Sequence, residues 1–400
     1  MTPPKLSPRE LLTLFALLLL GQVDSQILSP ILPQIASSFG VTVARVGASV
    51  AGYSLAAAAI ALVVGPLSDR HGRRRYLLVS ATAYALASAA VVWAPSFVLF
   101  VVARVAAGAA GGVASALVVA FIADRVAYER RGGAMAWVAG AYSIAPILGV
   151  PLGSWLAGAW GWRAIYGVFF VVASVAGAGL WVFVHEASTS PVVPSPVRAF
   201  NRYVQFMKER PTAMGAWSAF FVSGGITGFI TYLGAYLQSR FGLTLGGVGV
   251  VFLVSGAFSV AGAVASGRLS DRWGKRSFAV AGSLALAAAI SGVPHVPFGE
   301  SFYVVLAVVA LAASSRVAPL QSLVTELVSR ERRGAFIALR NTLSQLGIAF
   351  AATVGAALYQ TRGFEAVCYF TVVLNVIAAG ILMLLAEPSA ESVGEAEVAP

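Results

Sequence analysis

Asp24 is the one acidic residue set deep inside a long apolar run, which extends from Leu11 to Pro33. A charge at the centre of a bilayer costs about 2.5–3.5 kcal/mol on insertion scales, so such residues usually serve a function. The chemistry open to a buried carboxyl is to take up and release a proton. Burial favours the neutral acid, and a nearby cation favours the carboxylate. A cation is available, because Arg104 lies inside another apolar run. At 1.5 Å per residue, both side chains fall roughly 20 Å from the same face of a core about 30 Å thick. The sequence therefore predicts an Asp24–Arg104 pair, direct or bridged by water. Its chemistry is proton coupling, against the plainer reading of a static ion pair.

Arg316 is a second cation far inside an apolar run. Three readings stay open: it binds an anionic group of a substrate, it pairs with Glu326, or it snorkels to the surface. Arg340, with Asn341 and Gln345, reads as a boundary residue near the end of its run. Gln26, Tyr53, Tyr142, Phe220, Tyr232 and Tyr236 are the candidate substrate-binding aromatics and amides, with Arg316 beside them; for each the competing role is helix packing. Other chemistry is missing. The chain has no P-loop, no Ser/His/Asp constellation and three scattered histidines. Its single cysteine, Cys368, rules out an internal disulfide and a cysteine metal cluster. No enzyme activity, cofactor or metal is expected.

These residues need long helices to position them. The chain of 400 residues is 58% hydrophobic and 11% charged, where a soluble domain has about a quarter charged residues. Its solvent is therefore a lipid bilayer. A span needs roughly 20 apolar residues, and twelve such runs follow in order: 11–33, 45–67, 76–93, 97–119, 133–157, 162–184, 212–237, 246–267, 278–296, 302–327, 335–359 and 365–386. The first run reads as a retained span, not a cleaved leader. The net charge of +11 could suggest nucleic acid, but its placement argues otherwise. Twenty of the 27 Lys and Arg residues fall at the N-terminus and in the loops after even-numbered spans, and four fall in the opposite loops. The positive-inside rule then puts both termini in the cytoplasm.

The chain also repeats itself. Gly65-Pro66-Leu67-Ser68-Asp69-Arg70-His71-Gly72-Arg73-Arg74 returns 202 residues later as Gly267-Arg268-Leu269-Ser270-Asp271-Arg272-Trp273-Gly274-Lys275-Arg276. Phe39-Gly40, Glu129-Arg130-Arg131-Gly132 and Gly161 return at the same offset. An acid, a cation and a second acid line up in each half: Asp69, Arg73 and Asp124, then Asp271, Lys275 and Glu326. Two homologous halves follow. Residues 1–184 form an N-terminal six-helix bundle and 211–386 a C-terminal one. Between them, 185–210 is a proline-rich cytoplasmic linker whose end, Ala199 to Lys208, suits a short amphipathic helix on the membrane surface. Residues 387–400 are an acidic tail, expected to be disordered.

The doubled Gly-x-x-x-Asp-Arg-x-Gly-Arg-Arg motif resembles the major facilitator superfamily of secondary transporters, over essentially the whole chain but the tail. The resemblance implies an all-α membrane protein with 12 transmembrane helices in two pseudo-symmetric six-helix bundles around a central cavity, each an inverted pair of three-helix repeats. It implies that the loop acids Asp69 and Asp271 contact the opposite half and help hold the outward-open state. The expected conformational gate is Gly65, Asp69, Arg70, Gly72, Arg73 and Asp124, with Gly267, Asp271, Arg272, Gly274, Lys275 and Glu326; the plainer reading is that these charges only set topology.

Arg104 through Gly108 to Gly112 resembles the family's fourth-span motif, whose arginine is linked to proton coupling. Ala145-Pro146-Ile147-Leu148-Gly149-Val150-Pro151-Leu152-Gly153 is similar to the antiporter motif of drug–proton exchangers, carried here by Pro146, Gly149, Pro151 and Gly153. Ala145 and Val150 depart from it where glycines are usual. The implied protein is a monomeric proton antiporter of a bacterial inner membrane, exporting small amphipathic compounds. The alternatives are export of sugars or organic anions and, from another class, a membrane sensor that transports nothing.

Overall fold

A computed structural model of the chain describes residues 7–126, 131–185, 196–329 and 332–385. The tail 387–400 and the repeated loop residues Glu129, Arg130 and Glu331 lie outside the described residues. The elements are helices: Pro8–Phe39, Val43–His71, Arg73–Val92 and Phe97–Arg125 are spans 1 to 4. Span 5 is assembled from Arg131–Ile144, one π-helical turn Ala145–Gly149, and Val150–Trp160; span 6 is Trp162–Phe183. After the linker helix Pro196–Lys208 come spans 7 to 9, Arg210–Phe241, Leu245–Trp273 and Lys275–Gly292. Span 10 is Glu300–Ser315 followed by Val317–Thr325.

The last helix, Arg333–Leu384, has 52 residues and a length of about 78 Å, too long for one crossing of a bilayer core of about 30 Å. Gly363 breaks it at φ 78° and ψ −171°, a backbone no other residue type adopts readily, and so makes spans 11 and 12. Among the described residues, twelve spans in two six-helix bundles result.

The spans run past the apolar stretches that announce them. Span 1 covers 8–39 instead of 11–33, because the Ser7–Glu10 capping box starts it early and nothing stops it before Gly40 at φ 62°. Hydropathy marks the part that meets lipid, while hydrogen bonding decides where the helix ends. The repeat is obeyed at these ends. Thr42 caps span 2 by accepting from the Arg45 amide, and Thr244 caps span 8 by accepting from the Gly247 amide. Gly72 and Gly274 share positive φ values of 89° and 84°, turning each basic motif into the next span.

The two halves do not touch evenly. The first and last described residues, Ser7 and Leu385, lie on one face, here called the terminal side. On the far side a single apolar core joins both halves: Ile31, Val46, Phe100 and Trp162 pack in one cluster with Tyr232, Leu237, Val248 and Phe302. On the terminal side the cores are separate. Leu14, Leu77, Phe121 and Leu180 form one; Phe206, Leu320, Phe336 and Leu382 form the other. Span 8 shows the change along its length. Leu245, Val248, Gly249, Val251, Phe252 and Gly256 are buried on two faces at its far end, whereas only the single stripe Gly262, Ser266 and Ser270 is buried toward the terminal side. The molecule is closed on the far side and open on the terminal side.

Candidate functional site

Asp24 on span 1 and Arg104 on span 4 meet in the first half, each about 1% exposed. Arg104 Nη1 donates to Asp24 Oδ1. The other carboxylate oxygen, Oδ2, accepts from the Tyr84 hydroxyl of span 3 at 2.9 Å. The Tyr53 ring of span 2 lies under the guanidinium at 4.7 Å and the Tyr166 ring of span 6 at 5.9 Å. Five spans thus converge on one ion pair. Two atoms at its edge have no hydrogen-bond partner, Arg104 Nε and the Tyr166 hydroxyl. Stripping water from two charges costs several kcal/mol each, repaid only by good pairing geometry, so the pair changes state only if its partners change.

The span-4 glycines explain how Tyr53 reaches this position. A side chain at Gly108 would strike the Tyr53 backbone, one at Gly111 would come within 2.8 Å of the Tyr53 hydroxyl, and one at Gly112 within 2.8 Å of Ala57 Cα. They are a packing face for span 2.

The span-5 motif backs the same site. Side chains at Gly149 and Gly153 would run into Val23 and Ile27, the residues on either side of Asp24 along span 1. The opposite face of that motif meets the second half: a Cβ at Gly256 of span 8 would lie 3.0 Å from Ile147, and one at Gly249 3.3 Å from Ser154. Pro146 lies in the π-helical turn and Pro151 at the start of the next helical piece, where a missing N–H is tolerated. Span 5, with its π-helical turn, therefore touches both the helix that carries Asp24 and the opposite half.

The hydrogen bonds between halves gather at one place on the far side. Ser29 Oγ donates to the Ile230 carbonyl, the Gly234 amide donates to Ser29 Oγ at 3.1 Å, and Gln238 Nε2 donates to the Pro30 carbonyl at 2.8 Å.

The expected gate charges form ion pairs within each half. Arg73 Nε lies 2.6 Å from Asp124, and Lys275 Nζ lies 2.6 Å from Glu326, the same pairing at the same offset. Asp271, Arg272 and Arg70 are exposed on the terminal side; the side chain of Asp69 lies outside the described residues. Gly65 and Gly267 face open space, as they must where the halves stand apart.

The candidate substrate residues do not gather on one surface. Tyr53 belongs to the Asp24 cluster and is 7% exposed. Tyr232 is sealed, stacked on Tyr359 at 4.5 Å and laid over Gly47 of span 2. Tyr236 stacks on Phe364 at 4.3 Å, and Phe220 packs among Trp217, Phe221 and Phe350. Gln26 is half-buried and Tyr142 exposed. Arg316 does not pair with Glu326, which Lys275 holds, and it does not snorkel: it is 2% exposed. It donates to Asn375 Oδ1 at 2.6 Å and to the Val222 carbonyl at 3.1 Å, with Ser283 at 3.5 Å. Sequence reasoning missed Tyr84, Tyr166 and Asn375; only the polar Asn375 inside an apolar span was a signal. Among the described residues, no cluster of His, Cys, Asp and Glu could hold a metal ion.

The sequence profile of the Major Facilitator Superfamily matches residues 14–311 and 267–399. The chain belongs to the Major Facilitator Superfamily. It is 28% identical over 373 residues to the MFS-type transporter YbcL of Bacillus subtilis (strain 168), covering 90% of this chain and 92% of that one. Over 147 residues it is 34% identical to a multidrug resistance protein B homolog of Mycobacterium tuberculosis, 37% of this chain and 27% of that one. It is 29% identical over 262 residues to a chloramphenicol resistance protein of Streptomyces lividans, 65% and 66% of the two chains. A solved D-xylose–proton symporter superposes with a TM-score of 0.76 at 17% identity, over 96% of this chain and 98% of that one; this likeness is one of fold. The protein is a multi-pass membrane transporter of this superfamily, which implies a small-molecule substrate.

Proposed function

We propose that the protein is a proton-coupled exporter of small amphipathic, drug-like compounds, working by alternating access. The observation that carries this reading is the sealed Asp24–Arg104–Tyr84 cluster, backed by span 5, whose π-helical turn region also touches the opposite half. In the far-side-closed form Asp24 is a carboxylate held by a cation and a phenol. Protonating it removes the charge that Arg104 pairs with. The helix carrying it is braced by Gly149 and Gly153, so span 5 passes the change to span 8. Two-state motion needs a ligand with different affinity for the two states, and the proton on Asp24 is that ligand. The homologues named for multidrug and chloramphenicol resistance favour drug-like cargo and export.

Both termini face the cytoplasm of a bacterial inner membrane, on the strength of the basic loops, and the working unit is a monomer. The terminal-side opening is then the cytoplasmic mouth. On release of the proton there, the pair re-forms and the substrate enters; closure of the mouth engages the Asp69 and Asp271 loops.

The test is transport in proteoliposomes with an imposed proton gradient, wild type against Asp24→Asn, over a panel of lipophilic cations, sugars and organic anions. Some compound should dissipate the gradient in wild type and none in the variant. Equal behaviour of the two proteins would remove Asp24 from the coupling mechanism.

A further inference from the structure

Charge balance differs between the two bundles. In the first half the buried Arg104 is neutralised by Asp24 and the buried Arg125 by Glu10 at 3.2 Å. In the second half two buried arginines have no acid against them among the described residues. Arg316 is held only by neutral acceptors, as described above. Arg340 of span 11 is 7% exposed, and the bond found for it is from Nη1 to Gln321 Oε1 at 2.9 Å. Nε of each is buried without a hydrogen-bond partner. An unpaired buried charge is among the costliest features a membrane protein can keep. Arg340, expected as a boundary residue near the end of its run, is buried and not held at the surface.

Its surroundings are polar and accessible. Gln321 of span 10 and Asn341 of span 11 are exposed, and Ser344 and Gln345 are half-buried. Asn341 lies eight residues into its helix, about 12 Å from the helix start. Amide groups at that depth cannot face hydrocarbon without leaving donors and acceptors unsatisfied. The halves stand apart on this side, so these amides border the opening. Asn341 and Gln345 are four residues apart and share a helix face. Arg340 sits behind Gln321, and Arg316 lies five residues before Gln321 on the same span.

We propose that Arg340 and Gln321, with Asn341 and Gln345 beside them, form an anion-recognising subsite on the second half's wall of the opening, taking the carboxylate, sulfonate or phosphate group of an amphipathic substrate. This rests on the transport reading in one respect, that substrate enters from the terminal side. The bond to a neutral amide oxygen gives way to one between opposite charges, and a carboxylate can accept two parallel N–H···O bonds from a guanidinium. The amides of Asn341 and Gln345 supply further donors, and Arg316, five residues before Gln321 on the same span, adds a second positive charge to this half.

The experiment is direct binding to the purified full-length protein in detergent, by titration calorimetry, with three probes on one skeleton: 4-phenylbutyrate, 4-phenylbutyramide and 4-phenylbutylamine. Wild type should bind the carboxylate at least about tenfold (1.4 kcal/mol) tighter than the amide. Arg340→Gln should remove that preference and leave the amide unchanged, while Arg340→Lys keeps part of it. Asn341→Ala combined with Gln345→Ala alters one exposed and one half-buried position and leaves Arg340 in place, so it tests the subsite even where Arg340→Gln misfolds; it should weaken the carboxylate alone. No carboxylate binding in wild type, equal binding of carboxylate and amide, or full preference in both variants would overturn the proposal. The measurement needs no proton gradient. Carboxylate binding without gradient-driven transport would sink the transport reading and leave the subsite standing. Proton-coupled transport of the amine with no carboxylate preference would do the reverse.

Discussion

Gly234→Ala should trap the protein open on the far side. A methyl group at Gly234 would lie 2.6 Å from the Ser29 carbonyl oxygen and 2.7 Å from the backbone N and Cα of Pro30. Even weak C–H···O contacts keep carbon and oxygen about 3.3 Å apart, so spans 1 and 7 would have to separate by several tenths of an ångström. The opposing atoms are backbone and cannot swing aside. Overpacking of this kind costs about 1–3 kcal/mol, and here the cost falls only on the form in which spans 1 and 7 touch. A bias of that size moves a two-state equilibrium roughly 5- to 150-fold.

The readout is distance measurement between spin labels on cysteine pairs. Arg75→Cys with Arg268→Cys spans the terminal side, and Arg45→Cys with Arg240→Cys spans the far side; all four positions are exposed, while the native Cys368 is buried and stays unlabelled. Gly234→Ala should shorten the first distance and lengthen the second. Ser29→Ala, which removes two bonds between the halves worth about 0.5–1.5 kcal/mol each, should shift both distances in the same direction and by a comparable amount. Distributions identical to wild type in both variants would refute the claim that this contact holds the far side shut.

Three further outcomes are expected. Asp24→Asn and Arg104→Gln should each destabilise the first bundle by about 3–5 kcal/mol, because each strands a buried partner; the double variant should lose far less than their sum, and additive losses in a detergent unfolding assay would argue against a coupled pair. Lys275→Ala breaks a pair whose side chains are 32% and 31% exposed, so unfolding should change by less than about 1 kcal/mol while transport slows; a larger loss would show that the pair is not solvent-screened. Gly153→Leu forces span 5 off Ile27 and should cost about 1–3 kcal/mol, measurable as a lowered unfolding midpoint; an unchanged midpoint would mean that spans 1 and 5 are not in the close contact described.

The arrangement of twelve spans was legible because hydrocarbon imposes a strong local rule. Each crossing must be a long apolar helix, and the 202-residue offset carries that pattern from one half to the other along with its caps and turns, such as Thr42 with Thr244 and Gly72 with Gly274. Asp24 and Arg104 could be paired from depth alone, since the bilayer gives every span the same ruler. The charges Arg73 with Asp124 and Lys275 with Glu326 were legible for a similar reason, being duplicated.

Azimuth around each helix was not legible. Depth says nothing of which way a side chain points when every face of the helix is apolar, so Tyr53 and Tyr232 read as substrate contacts although one lies under Arg104 and the other closes the far side over Gly47. Tyr84 and Tyr166 reach the Asp24–Arg104 pair from other spans, and nothing local distinguishes them from packing residues; Asn375, which meets Arg316, was marked only by being polar within an apolar span. What the amino-acid sequence determined alone was the solvent, the span count, the pseudo-symmetry and the scarce buried charges, because each depends on composition and order along one dimension. The tertiary structure decided which bundle neutralises its arginines, which end of the molecule is open, and what the span-5 glycines press against. Those are contacts between helices far apart in the chain, and they exist only once twelve faces have chosen their neighbours.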